Sequence, residues 1–170
     1  MRWVAVVGIV LVVALIFFLM WRGWRRRTQR DAELTAPFAE LPEGAAVTAR
    51  FSGFYVATTA HDEPLERLAI GGLAFRSTMD LTVTDAGAAL DLPGLERVVF
   101  TPQRILAVDQ ATVAIDRVVE KDGLVRIVWT TPQDVVVDTY LRAQDASARQ
   151  VADAVRAISP TASTSDGSDA

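Results

Sequence analysis

The chain has 170 residues, no cysteine, and 17 basic against 21 acidic residues for a formal net charge of −4, so neither a disulfide framework nor a thiolate metal site exists. The charge is unevenly placed. Residues 1–30 hold six basic residues and no acid, and the remainder carries eleven basic against 21 acidic, a net of −10 that argues against a nucleic-acid-binding face.

Positions 3–21 (WVAVVGIVLVVALIFFLMW) form an uncharged run with Trp at both ends. At about 1.5 Å per residue this makes a helix of about 28 Å, roughly the hydrocarbon thickness of a bilayer. A cleaved signal peptide has a shorter apolar core followed by small residues, whereas this run ends in Trp21, Arg22, Trp24, Arg25, Arg26, Arg27 and Arg30. The pattern predicts one transmembrane helix over 3–21. The expected membrane-interface residues are Trp3, Trp21, Arg22, Trp24, Arg25, Arg26, Arg27 and Arg30. Only Arg2 precedes the run, so the positive-inside rule puts the N-terminus outside the cell (inner) membrane and the C-terminal domain in the cytoplasm. The lipid bilayer is thus the first expected partner, and the arginines suit anionic headgroups.

Residues 22–44 read as a basic juxtamembrane segment and linker, broken by Pro37 and Pro42, and residues 45–158 as a β domain. A first strand is expected over 47–59, where Gly53 marks a bulge or bend. Residues 75–84 alternate apolar and polar, the strand period of two; a turn at 85–87 leads into 88–92, and short apolar strands follow at 98–100, 105–108 and 113–119. Residues 117–129 read as a hairpin across Asp122-Gly123, a pair that accepts the positive φ of a tight turn. After a turn at Pro132-Asp134, residues 135–142 form the last strand. Ser147 and Gln150 then have the spacing of a capping box, and Val151, Val155 and Ile158 put an apolar stripe on one helix ending before Pro160. Residues 159–170 (SPTASTSDGSDA) are too polar to offset their conformational entropy and are expected to be disordered.

The expected fold is therefore mainly β: a transmembrane helix, then seven or so antiparallel strands in a bent sheet or partial barrel capped by one C-terminal helix. That order, carried by RVVEKDGLVRIVW at 117–129, DTYL at 138–141 and the helix to Ile158, resembles a bacterial pleckstrin-homology-like (PH-like) domain. The whole chain resembles a family of actinobacterial single-pass membrane proteins, labelled export-like or transporter-like, with no established activity. The resemblance implies an interaction domain and no cofactor. Phosphoinositide binding by PH domains needs basic residues around the first strand pair; here that segment contains His61, Asp62, Glu63 and Glu66, so no phosphoinositide is expected.

No catalytic, cofactor or metal site is legible. His61 is the only histidine, and a consecutive His-Asp-Glu run does not surround one ion, so it reads as a solvated loop residue. A Ser-His-Asp set would need this histidine, yet no Gly-x-Ser-x-Gly elbow is present. Gly71-Gly72 lacks the rest of a phosphate loop. Asp109, Asp116, Glu120, Asp122 and Asp138 fall where carboxylates usually face water, and Trp129 and Tyr140 read as core or rim aromatics. The expected function is a membrane-anchored cytoplasmic interaction or scaffold module with a protein partner and no enzymatic activity. The alternative is an accessory subunit of a membrane transport or export complex, although small residues for helix packing are sparse in the span.

Overall fold

The computed structural model describes residues 2–31, 34–68, 70–71, 73, 75–114, 117–118 and 123–159. The chain divides into two compact units, Met1–Glu33 and Leu34–Ala170. The first is one helix, α1 (Arg2–Asp31), whose described side chains, at 8–23 and 25, are all exposed. Among the described residues no helix is long and apolar enough to cross a membrane. The expected span is therefore present as a helix and not established as a span.

The second unit is an antiparallel sheet with one helix. Its strands are β1 (Val47–Ala60), β2 (Glu63–Arg67), β3 (Ser77–Thr84), β4 (Gly87–Asp91), β5 (Val98–Phe100), β6 (Ile105–Ala111), β7 (Val113–Ala114), β8 (Arg117–Val118), β9 (Leu124–Thr130) and β10 (Val136–Ala143). The main sheet runs β5-β4-β3-β1-β10-β9-β6 with β2 added to β1, and β7 and β8 form a separate ribbon. β1 is long because it serves both halves: its first part pairs with β3 (Val47 beside Thr84), while its second pairs with β10 (Ala60 beside Val137) and ends against β2. The bulge expected at Gly53 lies instead between Tyr55 and Ala57. Gly53 marks a close crossing, since a Cβ there would lie 2.1 Å from the backbone oxygen of Arg142.

Among the described residues, the strand pairing expected for a hairpin across Asp122-Gly123 is not made. β9 has both edges filled, by β6 (Ala111 beside Leu124, Asp109 beside Arg126) and by β10, so Arg117 and Val118 have no edge left there and pair with Val113 and Ala114. Asp122 itself lies outside the described residues. The stretch at 34–40, expected as linker, is built into the domain: Ala36 is buried, Phe38 bridges Val98, Val99 N–H donates to the Pro37 carbonyl, and Ala39 N–H donates to that of Arg97. These bonds cover the outer edge of β5, which would otherwise offer an unpaired strand edge.

The core lies between the sheet and α2 (Ala148–Arg156) and includes Tyr55, Leu81, Leu90, Phe100, Ile127 and Trp129. The capping box is present: Gln150 N–H donates to Ser147 Oγ, and Ser147 N–H to Gln150 Oε1. It starts a helix that buries Val151, Ala152 and Val155, each buried Val contributing about 1.5–3 kcal/mol; Ile158 follows, half-buried on the same core. Trp129 meets Phe100 edge to face at 5.2 Å. Its Nε1–H donates to Thr139 Oγ1 at 2.8 Å, and Thr139 lies 2.8 Å from Thr58 Oγ1, which is 3.0 Å from the Tyr55 hydroxyl. Tyr55 has one proton, and the Leu73 carbonyl at 2.7 Å can only accept it, so Thr58 donates to Tyr55 and Thr139 to Thr58. This buried relay has one consistent direction from β9 through β10 and β1 into the 68–74 loop.

Two predictions follow from these contacts. Gly53→Ala drives a methyl into backbone that cannot swing aside, so chemical denaturation should show a loss of at least about 1–3 kcal/mol, whereas Gly44→Ala, with open space around it, should lose less despite its positive φ. Burial pushes the Tyr55 hydroxyl up to about 12. A raised folded-state value means this contribution is complete below the ordinary value of about 10 and is lost as pH climbs from there to about 12. Tyr55→Phe, which orphans the Leu73 carbonyl, should therefore cost about 1–3 kcal/mol at neutral pH, and the difference from wild type should shrink between pH 10 and 12 in unfolding titrations.

Candidate functional site

On the sheet face away from the core, the His61-Asp62 turn between β1 and β2 folds against β10 and β9. Asp62 takes φ +58, a left-handed conformation that Asp tolerates better than most residues. The turn covers Asp138, which is 0% exposed. Asp62 N–H donates to Asp138 Oδ2 at 3.3 Å, and His61 Nδ1 stands 2.8 Å from Asp138 Oδ1. An ionised carboxylate only accepts, so that nitrogen carries the imidazole proton. The other ring nitrogen, Nε2, faces Asp62 Oδ2 at 3.4 Å, a carboxylate rather than a hydroxyl nucleophile.

Arg126 supplies the opposing charge. Its guanidinium lies 3.6 Å from Asp138, 3.5 Å from Asp62 and 3.7 Å from Asp109, its direct neighbour across β6 and β9. Tyr140, opposite Arg126 across β10 and β9, has its hydroxyl pushed up by burial and then by the Asp138 charge, with Arg126 and hydrogen bonds opposing. Tyr140 and Leu124 form a small second core on this face with Val56 and Ala111.

His61 stays an exposed turn residue, with one ring nitrogen turned onto Asp138. Asp138, expected to face water, does not, because the turn folds over the outer face of β10. Donor atoms of His61, Asp62 and Asp138 lie within 4.8 Å of one another, near enough to share an ion. Arg126 already sits on both carboxylates, however, so a divalent cation would be placed against fixed positive charge. The arrangement pairs the carboxylates with Arg126 through its terminal nitrogens while its buried Nε has no hydrogen-bond partner among the described residues, and no metal is assigned to it.

A shallow groove of about 480 Å³ lies on the β1-β3-β4 half, lined by Arg50, Ser52, Asp80, Asp91, Arg97 and Asp145 among others. Asp145 accepts from Ser52 N–H and Oγ–H, both at 2.9 Å, which holds its carboxyl below the usual range. Asp91 takes two hydrogen bonds from Arg97 and thereby raises the guanidinium further. Asp80 stands directly beside Asp91 across the strands. Trp129 and Tyr140 are both buried, the first in the main core and the second beneath the outer face.

The membrane-interface residues expected from sequence all fall on α1. Trp21 and Arg22 are exposed, and the Arg25 guanidinium lies over the Trp21 ring at 5.1 Å. The side chains of Trp3, Trp24, Arg26, Arg27 and Arg30 lie outside the described residues, as do Asp116, Glu120 and Asp122.

Removing Arg126 leaves the buried Asp138 to His61 and the Asp62 amide, without its cation of fixed charge. Arg126→Met should cost about 1–3 kcal/mol, below the full figure for a broken buried pair because the contacts are long and two partners are exposed. Asp138→Asn added to it should recover part of the loss, and a denaturant double-mutant cycle reads the coupling.

Residues 34–157 match the protein family described as Bacterial PH domain-like. No curated protein matches the chain. The matched stretch begins with the segment that covers the β5 edge and runs past the end of α2, taking in the whole sheet. The chain thus belongs to the bacterial PH domain-like family.

Proposed function

We propose that this protein is a membrane-anchored, non-enzymatic interaction module: α1 crosses the inner membrane with its N-terminus outside, and the PH-like domain recruits or positions a protein partner on the cytoplasmic side. The observation that carries the reading is the joining of a PH-like domain to a helix whose residues 3–21 are uncharged, flanked by Trp and followed by five arginines. PH-like domains generally act as binding platforms. The His61-Asp138-Arg126 network is compatible with such a role, since it pairs the buried carboxylate with a histidine and an arginine, and the other histidine nitrogen faces the Asp62 carboxylate.

Charge separates the two parts. The arginines attract anionic headgroups by about 1 kcal/mol each near the surface, while the acidic remainder of the chain is repelled, so attachment depends on α1. A reporter enzyme active only outside the membrane should be silent when fused after Ala170. Neutralising Arg22, Arg25, Arg26 and Arg27 together should raise its signal; a strong signal from the unaltered chain overturns the orientation. A fragment starting at Leu34 should stay in the aqueous phase in vesicle flotation.

A further inference from the structure

We propose that His61 is a proton-operated latch on the β1-β2 turn: with a proton on both ring nitrogens it clasps the turn to β10, and when neutral it lets the turn lift from Asp138. The turn is fastened at few points. β2 registers with β1 where Thr59 lies beside Arg67 and Ala60 beside Glu63, with an irregularity between the two. Besides that register, the stretch is held by the Leu68 N–H donating to the Thr58 carbonyl, by Arg67 donating to the Val56 carbonyl, and by the contacts at Asp138.

His61 faces a carboxylate on each side. Nδ1 stands 2.8 Å from Oδ1 of the buried Asp138, and Nε2 stands 3.4 Å from Oδ2 of Asp62. A neutral imidazole carries one ring proton. Placed on Nδ1, that proton leaves the Nε2 lone pair pointing at the Asp62 carboxylate, where two acceptors repel. Placed on Nε2, it leaves the buried Asp138 oxygen facing a lone pair instead. Only the imidazolium donates to both carboxylates, so the docked geometry is complete only in that form. By linkage, the docked population is largest at the acid end of the histidine range and falls as pH rises through it.

The surrounding charges decide the sign. Asp62 on the turn, Asp138 on β10 and Asp109 on β6 share one cation, Arg126 on β9, a net of −2 that a proton on His61 brings to −1. Arg126 opposes the imidazolium, yet three carboxylates outnumber it, and its contact with Asp138 at 3.6 Å is longer than that of His61 at 2.8 Å. Glu63 and Glu66 on β2 add two further carboxylates to the segment, while Arg67 is turned onto the Val56 carbonyl. The Tyr140 hydroxyl on β10, pushed up by burial, stays neutral throughout this range.

His61 is the only histidine, so one substitution removes the whole imidazole titration. Full-length protein in detergent micelles, with a metal chelator present throughout, would be followed by hydrogen-exchange mass spectrometry from about pH 5.5 to about pH 8. Rates are corrected for the intrinsic pH dependence of exchange, and β3 serves as internal reference. Protection of the stretch at 57–67 should fall severalfold across this range while β3 stays level. His61→Gln should flatten the profile, and Asp62→Asn, which keeps a residue that tolerates left-handed φ, should flatten most of it. A wild-type profile as level as that of β3 overturns the proposal, and so does a slope that survives in His61→Gln, which would belong to the carboxylates. Should His61→Gln unfold, as lost protection in β3 would show, Asp62→Asn decides: a slope unchanged from wild type overturns the latch.

Discussion

The domain depends on one strand serving two sheets' worth of partners. β1 has fourteen residues and two edges, and it must pair with β3 over its first part, with β2 at its end and with β10 over its second part. No flat strand satisfies these partners while its side chains also feed one core. The bulge between Tyr55 and Ala57 changes the register within a single turn of the pleat, and Gly53 removes the side chain where the β10 backbone crosses too close for any Cβ. The relay from Trp129 through Thr139 and Thr58 to Tyr55 pins the same bend from inside. Every donor in it is used once, so it rigidifies the join where a half-satisfied chain of hydroxyls would weaken it.

Bending the sheet frees its outer face to be covered as well. The β1-β2 turn lies over that face, and the cost of covering Asp138 is met by His61, the Asp62 amide and Arg126 together. A buried carboxylate with one partner removed is far more costly than an apolar residue in the same place. The network therefore specifies where the turn must dock more than it adds net stability. That reading also explains why a His-Asp-Asp cluster near the surface need not hold an ion: the positive charge such a site would recruit is already supplied by the chain.

Much of this was legible in the sequence, and the failures have a common cause. The long amphipathic strand at 77–84, the capping box at Ser147 and the stripe of Val151 and Val155 are local patterns, fixed by period and by hydrogen bonds spanning three or four residues. The pattern for a hairpin across Asp122-Gly123 is equally local, yet its described residues pair elsewhere, because the edge it needs is claimed by β6, a partner whose contact with β9 spans a longer connection. That single misplacement hid the Asp109-Arg126 pair, and with it the cation that makes Asp138 tolerable in the interior. The 34–40 stretch was missed for the opposite reason: its prolines break any period, yet backbone bonds to β5 do not require one.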